Sequence, residues 1–509
     1  MRSSNSIKNA VVATIMNIIT ILVGFLVQKI FVISLGNEYL GLNGLFSNIL
    51  SILAVVELGF GSAIIYHLYK PVAEHNEKEI TILMRFYKKT YRIIASIIFV
   101  LGLSVMPFMK YIVGEITISE NLYLLFLLAL IDIVASYLLT YKRSILYADQ
   151  KTYIINLVHI GYIVLMNICE VTLLLLTKNY LLYLMIKIVF RLLENIVISV
   201  IANKKYPFIL DKVNENISSE LRLDILHKVK GLLFHRIGGS LVLGTDNIII
   251  SNAIGVIAVG LYSNYSMIIN ALTNLLGQVF NSIIATIGNL LIENDRNKSF
   301  DIYHKMLFLN SWLYCFCGTC LLCLLQPFIT LWMGQEYLLP YGVIIVLIIN
   351  FYIQGMRATS NTFKEAAGIF YEDRFVPIIE SVINIVASII LAKMFGLIGI
   401  FIGTSLSSMV LFLYSYPIFV YKKLFHRRYA EFIREHLKYF IISIIVTAIT
   451  AIITSKINIS NLFITLFINA IICIVVPNIF YVILFYRTNE FKYYIGILKT
   501  TLKKITKNY

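Results

Sequence analysis

Nine ionisable residues stand where so apolar a chain has little room for charge. Lys29, Glu57, Asp132, Glu170, Lys187, Arg191, Glu194, Asp246 and Arg357 all fall inside long apolar runs. A charge at the centre of a membrane span costs about 2.5–3.5 kcal/mol on insertion scales unless it meets water, a partner or a ligand. Lysine and arginine there suit an anionic group, held strongly in a low-dielectric setting. A carboxylate there suits a proton, a sodium ion or a neighbouring cation. Catalysis is a poorer fit. No cluster resembles a nucleophile triad, and no GxxxxGK[ST] loop exists to hold ATP.

Two spacings sharpen this. Lys187, Arg191 and Glu194 recur at i, i+4 and i+7, so they share one helix face. That face either meets a ligand or locks its helix to a neighbour. Asn270, Asn274, Gln278 and Asn281 follow one face at i, i+4, i+8 and i+11. Such a stripe either hydrogen-bonds a neighbouring helix or lines a wet wall that would suit a sugar. His159 stands alone and reads as a hydrogen-bonded packing residue.

The elements that must carry these residues follow from composition. The chain has 509 residues, of which 59% are hydrophobic and 14% charged. A soluble globule would carry about 25% charged residues. Apolar runs reach the roughly 20 residues that cross a bilayer core of about 30 Å. The expected fold is all-α: a polytopic integral membrane protein of about fourteen transmembrane helices. The runs are 10–35, 40–65, 91–113, 121–141, 154–176, 181–202, 236–257, 261–291, 306–330, 341–363, 376–394, 397–420, 438–456 and 462–486. A β-barrel would need alternating segments of about ten residues instead. The stretch MRSSNSIKNA leads into an apolar run too long for a signal peptide and reads as the start of the first span.

The net charge of +16 does not point to nucleic acid. Lysine and arginine gather in alternate loops, around 66–92, 142–151, 203–236, 293–305, 364–374 and 421–438, and at both ends. The opposite loops hold only Lys110, Lys178, Lys393 and Lys456. The positive-inside rule then puts both termini in the cytoplasm. Counted at about 1.5 Å per residue from the outer helix ends, Lys29 lies roughly 10 Å down, Asp246 roughly 13 Å, and Glu57 and Arg357 about 24 Å. Lys29 therefore matches Asp246, and Glu57 matches Arg357. Cys315, Cys317, Cys320 and Cys323 scatter around one helix with no histidine or carboxylate between them, and read as packing residues rather than metal ligands.

Three short matches recur in order. GNEYLGL at Gly36 matches GVIAVGL at Gly255, 219 residues on; PFMKYIVG at Pro107 matches PFITLWMG at Pro327, 220 on; YADQK at 147–151 matches FYEDR at 370–374, 223 on. They imply duplication of a six-helix unit. The expected division is an N-terminal six-helix lobe over 1–202, a cytoplasmic linker over 203–235 and a C-terminal six-helix lobe over 236–420. Residues 421–509 hold helices thirteen and fourteen and a basic tail. In the linker, Leu221, Ile225, Val229, Leu232 and Leu233 recur at helical spacing beside Arg222, Lys228 and Lys230. That segment either lies on the cytoplasmic leaflet or is a solvated linker helix.

Two stretches carry a family likeness. They are NAVVATIMNIITILVGFLVQKIFVISLGNEYLGLNGLFSNILSILAVVELGFGSAIIYHLYKPVAEHN near the N-terminus and GTDNIIISNAIGVIAVGLYSNYSMI past the midpoint. The chain resembles the Wzx-like oligosaccharide flippases of the polysaccharide transport family, within the multidrug/oligosaccharidyl-lipid/polysaccharide exporter superfamily. The resemblance implies a transporter, not an enzyme, in the bacterial plasma membrane. It implies transfer of a polyprenyl-pyrophosphate-linked oligosaccharide from inner to outer leaflet by alternating access through a central cationic cavity. Its partners would be membrane lipids and the polymerase and glycosyltransferases of the same pathway. On this expectation Lys29, Arg357, Lys187, Arg191, Asn274 and Gln278 bind substrate. Asp246, Glu57 and Asp132 couple an ion or balance charge. No cofactor or metal is implied; a proton or sodium gradient or the membrane potential would drive transport. The alternatives are a multidrug or cation antiporter or a lipid II flippase of the same superfamily, and more remotely a membrane polymerase or glycosyltransferase.

Overall fold

The computed structural model describes residues 2–57, 60–211, 215, 217–293, 295–369, 372–457 and 459–507, with side chains described over these except 2–7, 10, 56, 62, 226–228, 230–243, 501–502 and 504–507. Among the described residues every regular element is helical. Chain compactness divides the protein into two units, Met1–Ser263 and Asn264–Tyr509.

The first unit holds α1 (Arg2–Leu35), α2 (Asn37–Leu53), α3 (Phe60–Ala73), α4 (Glu77–Val105), α5 (Met109–Val113), α6 (Leu122–Tyr137), α7 (Tyr141–Ala148), α8 (Thr152–Thr177), α9 (Tyr180–Lys205) and α10 (Ser219–Ala253). It also takes the first turns of α11 (Val256–Asn281). The second unit continues with α12 (Ile284–Ile292), α13 (Arg296–Trp332), α14 (Tyr341–Ala366), α15 (Val376–Phe395) and α16 (Leu397–Val410). A π-helical stretch, Leu411–Leu424, extends α16, and α17 (Tyr429–Ser455), α18 (Leu462–Phe485) and α19 (Asn489–Lys507) complete the unit. Side-chain caps mark several helix starts. Asn76, Asn121, Asn179, Ser218, Asp295 and Asn461 each accept a backbone N–H from the first turn they precede.

Each expected span corresponds to a helical segment. Ten helices among the described residues are long and apolar enough to cross a membrane, and the bent pair α6–α7 makes an eleventh. The protein is a multi-pass membrane protein. The other three expected spans differ for visible reasons. Run 40–65 breaks between α2 and α3, and run 181–202 carries Lys187, Arg191 and Glu194. Run 236–257 belongs to the 35-residue α10, much of whose side-chain content lies outside the described residues.

That same α10 changes the reading of the linker. It is one continuous helix from the expected linker into the expected seventh span. Ile225 and Val229 are buried among Leu83, Tyr87 and Ile145, and Leu221 packs against this cluster. The apolar face therefore packs on protein, which corrects the reading of a helix resting on a leaflet or standing in solvent; Leu232, Leu233, Lys228 and Lys230 lie outside the described side chains. The basic region 66–92 is also mostly helix, since α4 begins at Glu77.

The glycines of the first repeated motif occupy matching positions. Gly36 (φ 91°) separates α1 from α2, and Gly255 (φ 126°) separates α10 from α11. An L side chain rarely adopts such a backbone. Five residues on, α2 and α11 cross with backbones in contact. A Cβ on Gly41 would strike the Val256 carbonyl, and one on Gly260 would strike the Asn37 carbonyl. The contact is reciprocal: each motif supplies one glycine and one obstructing carbonyl. The second pair of motifs likewise ends in two glycines of positive φ, Gly114 and Gly334. For the third pair, residues 370 and 371 lie outside the described residues.

Candidate functional site

In the first unit the intramembrane charges assemble on α6, α7, α8 and α9. Arg191 Nε reaches Asp132 Oδ1 at 3.3 Å. Glu194, almost wholly buried, meets His159 Nδ1 at 2.9 Å and Arg143 Nη2 at 3.1 Å. The three charges on α9 therefore do not pair along their own face. Arg191 turns to α6, while Glu194 turns to α7 and α8. Lys187 makes neither a hydrogen bond nor an ion pair among the described residues; its ammonium sits 4.5 Å from the centre of the Tyr183 ring. Glu170 is 1% exposed and its Oε1 has no hydrogen-bond partner among the described residues. The charges of Lys187, Asp132 and Arg191 act on it from α6 and α9.

Lys29, on α1, is half-buried and makes no ion pair or hydrogen bond among the described residues. The expected Lys29–Asp246 pair is not formed, although Asp246 is buried in the same unit. Equal depth places two residues on one level but says nothing of the direction in which each faces. Two residues beyond Lys29, Phe31 packs edge-on against Tyr183 with ring centres 5.0 Å apart. Lys29 and Lys187, the substrate-site candidates without ion pairs among the described residues, thus stand on helices joined by an aromatic cluster that also holds Tyr180 and Tyr39. Glu57 accepts from Tyr91 Oη at 3.3 Å.

In the second unit, Arg357 on α14 is gripped by Glu380 on α15. Nη1 donates to Oε1 at 2.8 Å and Nη2 to Oε2 at 3.1 Å. Nε donates to Tyr416 Oη at 3.3 Å, and Tyr416 in turn donates to Asn361. Both guanidinium edges of Arg357 are therefore already in use within the second unit. A two-pronged pair of this kind is the strongest charge-assisted hydrogen bond available to arginine. A second buried pair, Lys364–Asp373, is braced by Ser415 Oγ at 3.0 Å from Asp373. The π-helical stretch thus supplies a side chain to each pair, Tyr416 to one and Ser415 to the other.

The amides of α11 behave differently. Asn270, Asn274, Gln278 and Asn281 are all exposed, and none makes a side-chain hydrogen bond among the described residues. Bonding to a neighbouring helix is therefore not their role here. An unpaired amide is unfavourable against lipid and favourable against water, so the stripe suits a wet wall.

No model of a known family matches the chain, and no curated protein matches it. Solved structures do. One is the lipid II flippase MurJ in an inward closed conformation, with a TM-score of 0.66 at 16% identity, covering 94% of this chain and 99% of that one. This chain has the fold of that flippase. An inward-facing multidrug resistance MATE transporter of the MOP superfamily matches with a TM-score of 0.56 at 15% identity, over 77% of this chain and 91% of that one. A point mutant of the Vibrio cholerae MATE transporter VcmN also reaches 0.56, at 13% identity, over 80% and 94%. At these identities the likeness is one of fold.

Sequence reading passed over Glu380, which lies between Ile379 and Ser381 in a run taken as uniformly apolar. Its signal was available: a lone carboxylate inside a span demands a cation, and Arg357 sits in the preceding span. It also passed over His304 and Glu435, whose Nε2 and Oε1 lie 3.3 Å apart. Both positions fall inside stretches read as basic loops, 293–305 and 421–438.

Proposed function

We propose that this protein is a flippase moving polyprenyl-pyrophosphate-linked oligosaccharide units from the inner to the outer leaflet of the bacterial plasma membrane, for capsule, exopolysaccharide or other surface polysaccharide. The observation that carries the reading is the reach of the structural match. The lipid-linked-substrate flippase accounts for 94% of the chain, whereas the MATE transporters account for 77% and 80%. The site chemistry supports it. Lys29 and Lys187 are the cations left for a pyrophosphate or an acidic sugar, and Asn274 and Gln278 offer amides to sugar hydroxyls. Arg191 and Arg357 act instead as neutralised positioning groups. On this reading the chain performs transport and no bond-making chemistry. Both termini are cytoplasmic, and a proton or sodium gradient or the membrane potential drives the cycle. Asp132, Glu57 and Asp246 are the carboxylates placed for coupling or charge balance. The pathway's polymerase and glycosyltransferases are the proposed neighbours.

The same match favours a second reading, lipid II as the substrate, since lipid II is the cargo named for that flippase. The decisive experiment deletes the gene and analyses lipid-linked intermediates by leaflet. Polyprenyl-linked oligosaccharide held in the inner leaflet supports the first reading. Trapped lipid II, or rescue of a strain depleted of its lipid II flippase, supports the second. Altered drug sensitivity with both intermediates at normal levels overturns both in favour of an antiporter.

A further inference from the structure

One cationic face takes no part in the site above. On α4, Lys88, Lys89 and Arg92 are exposed, and none makes a side-chain hydrogen bond or ion pair among the described residues. The same face continues as Ile93, Ile97, Val100 and Leu101, all exposed and apolar. Together with Lys89, Arg92 and Ser96 they line a shallow, open groove of about 470 Å³ along the surface of α4. At about 1.5 Å per residue the groove runs some 13 Å beyond Arg92, close to one leaflet's share of a hydrocarbon core of about 30 Å.

At Arg92 the groove meets a second cavity of about 280 Å³, lined by Lys88, Tyr91, Tyr137, Tyr141 and Asn195 among others. This cavity sits at the break in the α6–α7 pair. Leu138 is extended, Leu139 has φ 66°, and the two helices are bent by 42°. Asn195 holds the break: its Nδ2 donates to the Ala135 carbonyl at 2.9 Å, and its Oδ1 accepts from Arg143 at 2.9 Å. The backbone is thus provided for by protein, while the cations at the mouth are not. Lys142 adds to the positive field; it donates to Asn203 at 2.7 Å, and its charge and that of Lys88 act on each other. Two carboxylates adjoin this arrangement and both are engaged: Glu57 accepts from Tyr91, and Glu194 is paired with Arg143, the donor to Asn195.

A positively charged mouth opening into an apolar groove about one leaflet long matches one class of molecule in a membrane. We propose that this face binds an anionic glycerophospholipid, with its phosphate on Lys88, Lys89 and Arg92 and one acyl chain along Ile93, Ile97 and Val100. A juxtamembrane cation contributes about 1 kcal/mol to attraction for anionic lipid, so removing two should cut retention about thirtyfold.

The test uses the full chain, purified in mild detergent from membranes containing phosphatidylglycerol and phosphatidylethanolamine, with co-purifying lipid measured by native mass spectrometry. The double variant Lys88→Gln/Arg92→Gln is expected to retain about thirtyfold less phosphatidylglycerol with phosphatidylethanolamine unchanged. Ile97→Trp, which fills the groove without touching a charge, is expected to lower phosphatidylglycerol as well. Lys178→Gln serves as the control cation and is expected to change nothing. Retention unchanged in both test variants overturns the proposal. So does polyprenyl phosphate displacing phosphatidylglycerol from an equimolar mixture in the wild type but not in the double variant, which would make the face a substrate site.

Discussion

Four cations carried the expectation of an anionic ligand, and their surroundings separate them. Arg357 is closed by Glu380 across Nη1 and Nη2 and by Tyr416 at Nε, and Arg191 is paired with Asp132, whereas Lys29 and Lys187 have no ion pair among the described residues. The two classes should fail differently. Arg357→Ala strands a buried carboxylate and is expected to cost about 3–5 kcal/mol. Thermal unfolding in detergent would show this as a large drop in Tm. The double variant Arg357→Leu/Glu380→Leu removes both charges, so it should recover most of that stability and still transport. A double variant that is stable but inactive would return Arg357 to the substrate site. Lys29→Gln breaks no pair. Its stability should stay within about 0.5 kcal/mol of wild type while, on the proposed function, flipping of a lipid-linked saccharide in proteoliposomes falls at least about tenfold. Unchanged flipping would remove Lys29 from the site. The sequence shows that these residues would be costly in a membrane if left without partners, because that cost follows from type and depth. It does not show their partners, because pairing depends on the direction each helix face takes. The Lys29–Asp246 match failed for that reason, and Glu380 was passed over because the apolar average of its run concealed a single carboxylate.

At the scale of the helix, the repeated glycines were legible and their purpose was not. A spacing of 219 residues marks Gly36 and Gly255 as equivalent, and both carry the positive φ that a sharp helix-to-helix turn demands. Only the structure shows that Gly41 and Gly260, in the same motifs, let two helices cross with backbones touching. Gly41→Val is therefore expected to block the crossing of α2 and α11 and to abolish monodisperse elution. Gly277→Ala, on the same α11 but with nothing within reach of a new Cβ, should elute normally. Equal behaviour of the two would mean that the crossing contributes nothing to folding. The amide stripe of α11 was legible as a pattern at helical spacing, but its two readings divided on an environment that a sequence does not hold. Exposure without hydrogen bonds favours the wet wall, and thiol accessibility tests it. In a Cys169→Ser background, Asn274→Cys and Gln278→Cys should react with a charged, membrane-impermeant thiol reagent. Val279→Cys, exposed on a face turned away from the stripe, should react only with a lipophilic one. Failure of both stripe positions to react with the charged reagent would place the stripe against lipid or protein.

Across the whole chain, the count of repeated units leaves α17 and α18 over, and nothing in the residue pattern explains their presence. The second unit does. Both helices pack on α13, and they complete hydrogen bonds that α13 cannot satisfy alone. Ser311 is paired with Tyr481 at 2.7 Å, Trp312 donates to Asn478 at 2.9 Å, and Thr319 is paired with Thr447 at 2.8 Å. Trp312 also stacks on Tyr481, with ring centres 5.7 Å apart. Ser311 is fully buried, so removing its partner leaves a polar group facing lipid at about 1–3 kcal/mol, whereas Thr319 keeps its bond to the Cys315 carbonyl within α13. The last helices are thus part of the second unit's core and not an appendage to a finished bundle. The MATE transporters, which match about four-fifths of this chain, make the contrast testable. Truncation after Arg428 removes α17, α18 and α19 together and is expected to give an aggregated product by fluorescence-detected size exclusion. Truncation after Thr488 removes only α19, whose Tyr494 donates to the Lys305 carbonyl at 3.2 Å, and should leave a folded protein with a modestly lowered Tm. If the longer truncation were monodisperse and still transported, α17 and α18 would be dispensable for folding and transport, and their hydrogen bonds to α13 would not be part of the second unit's core.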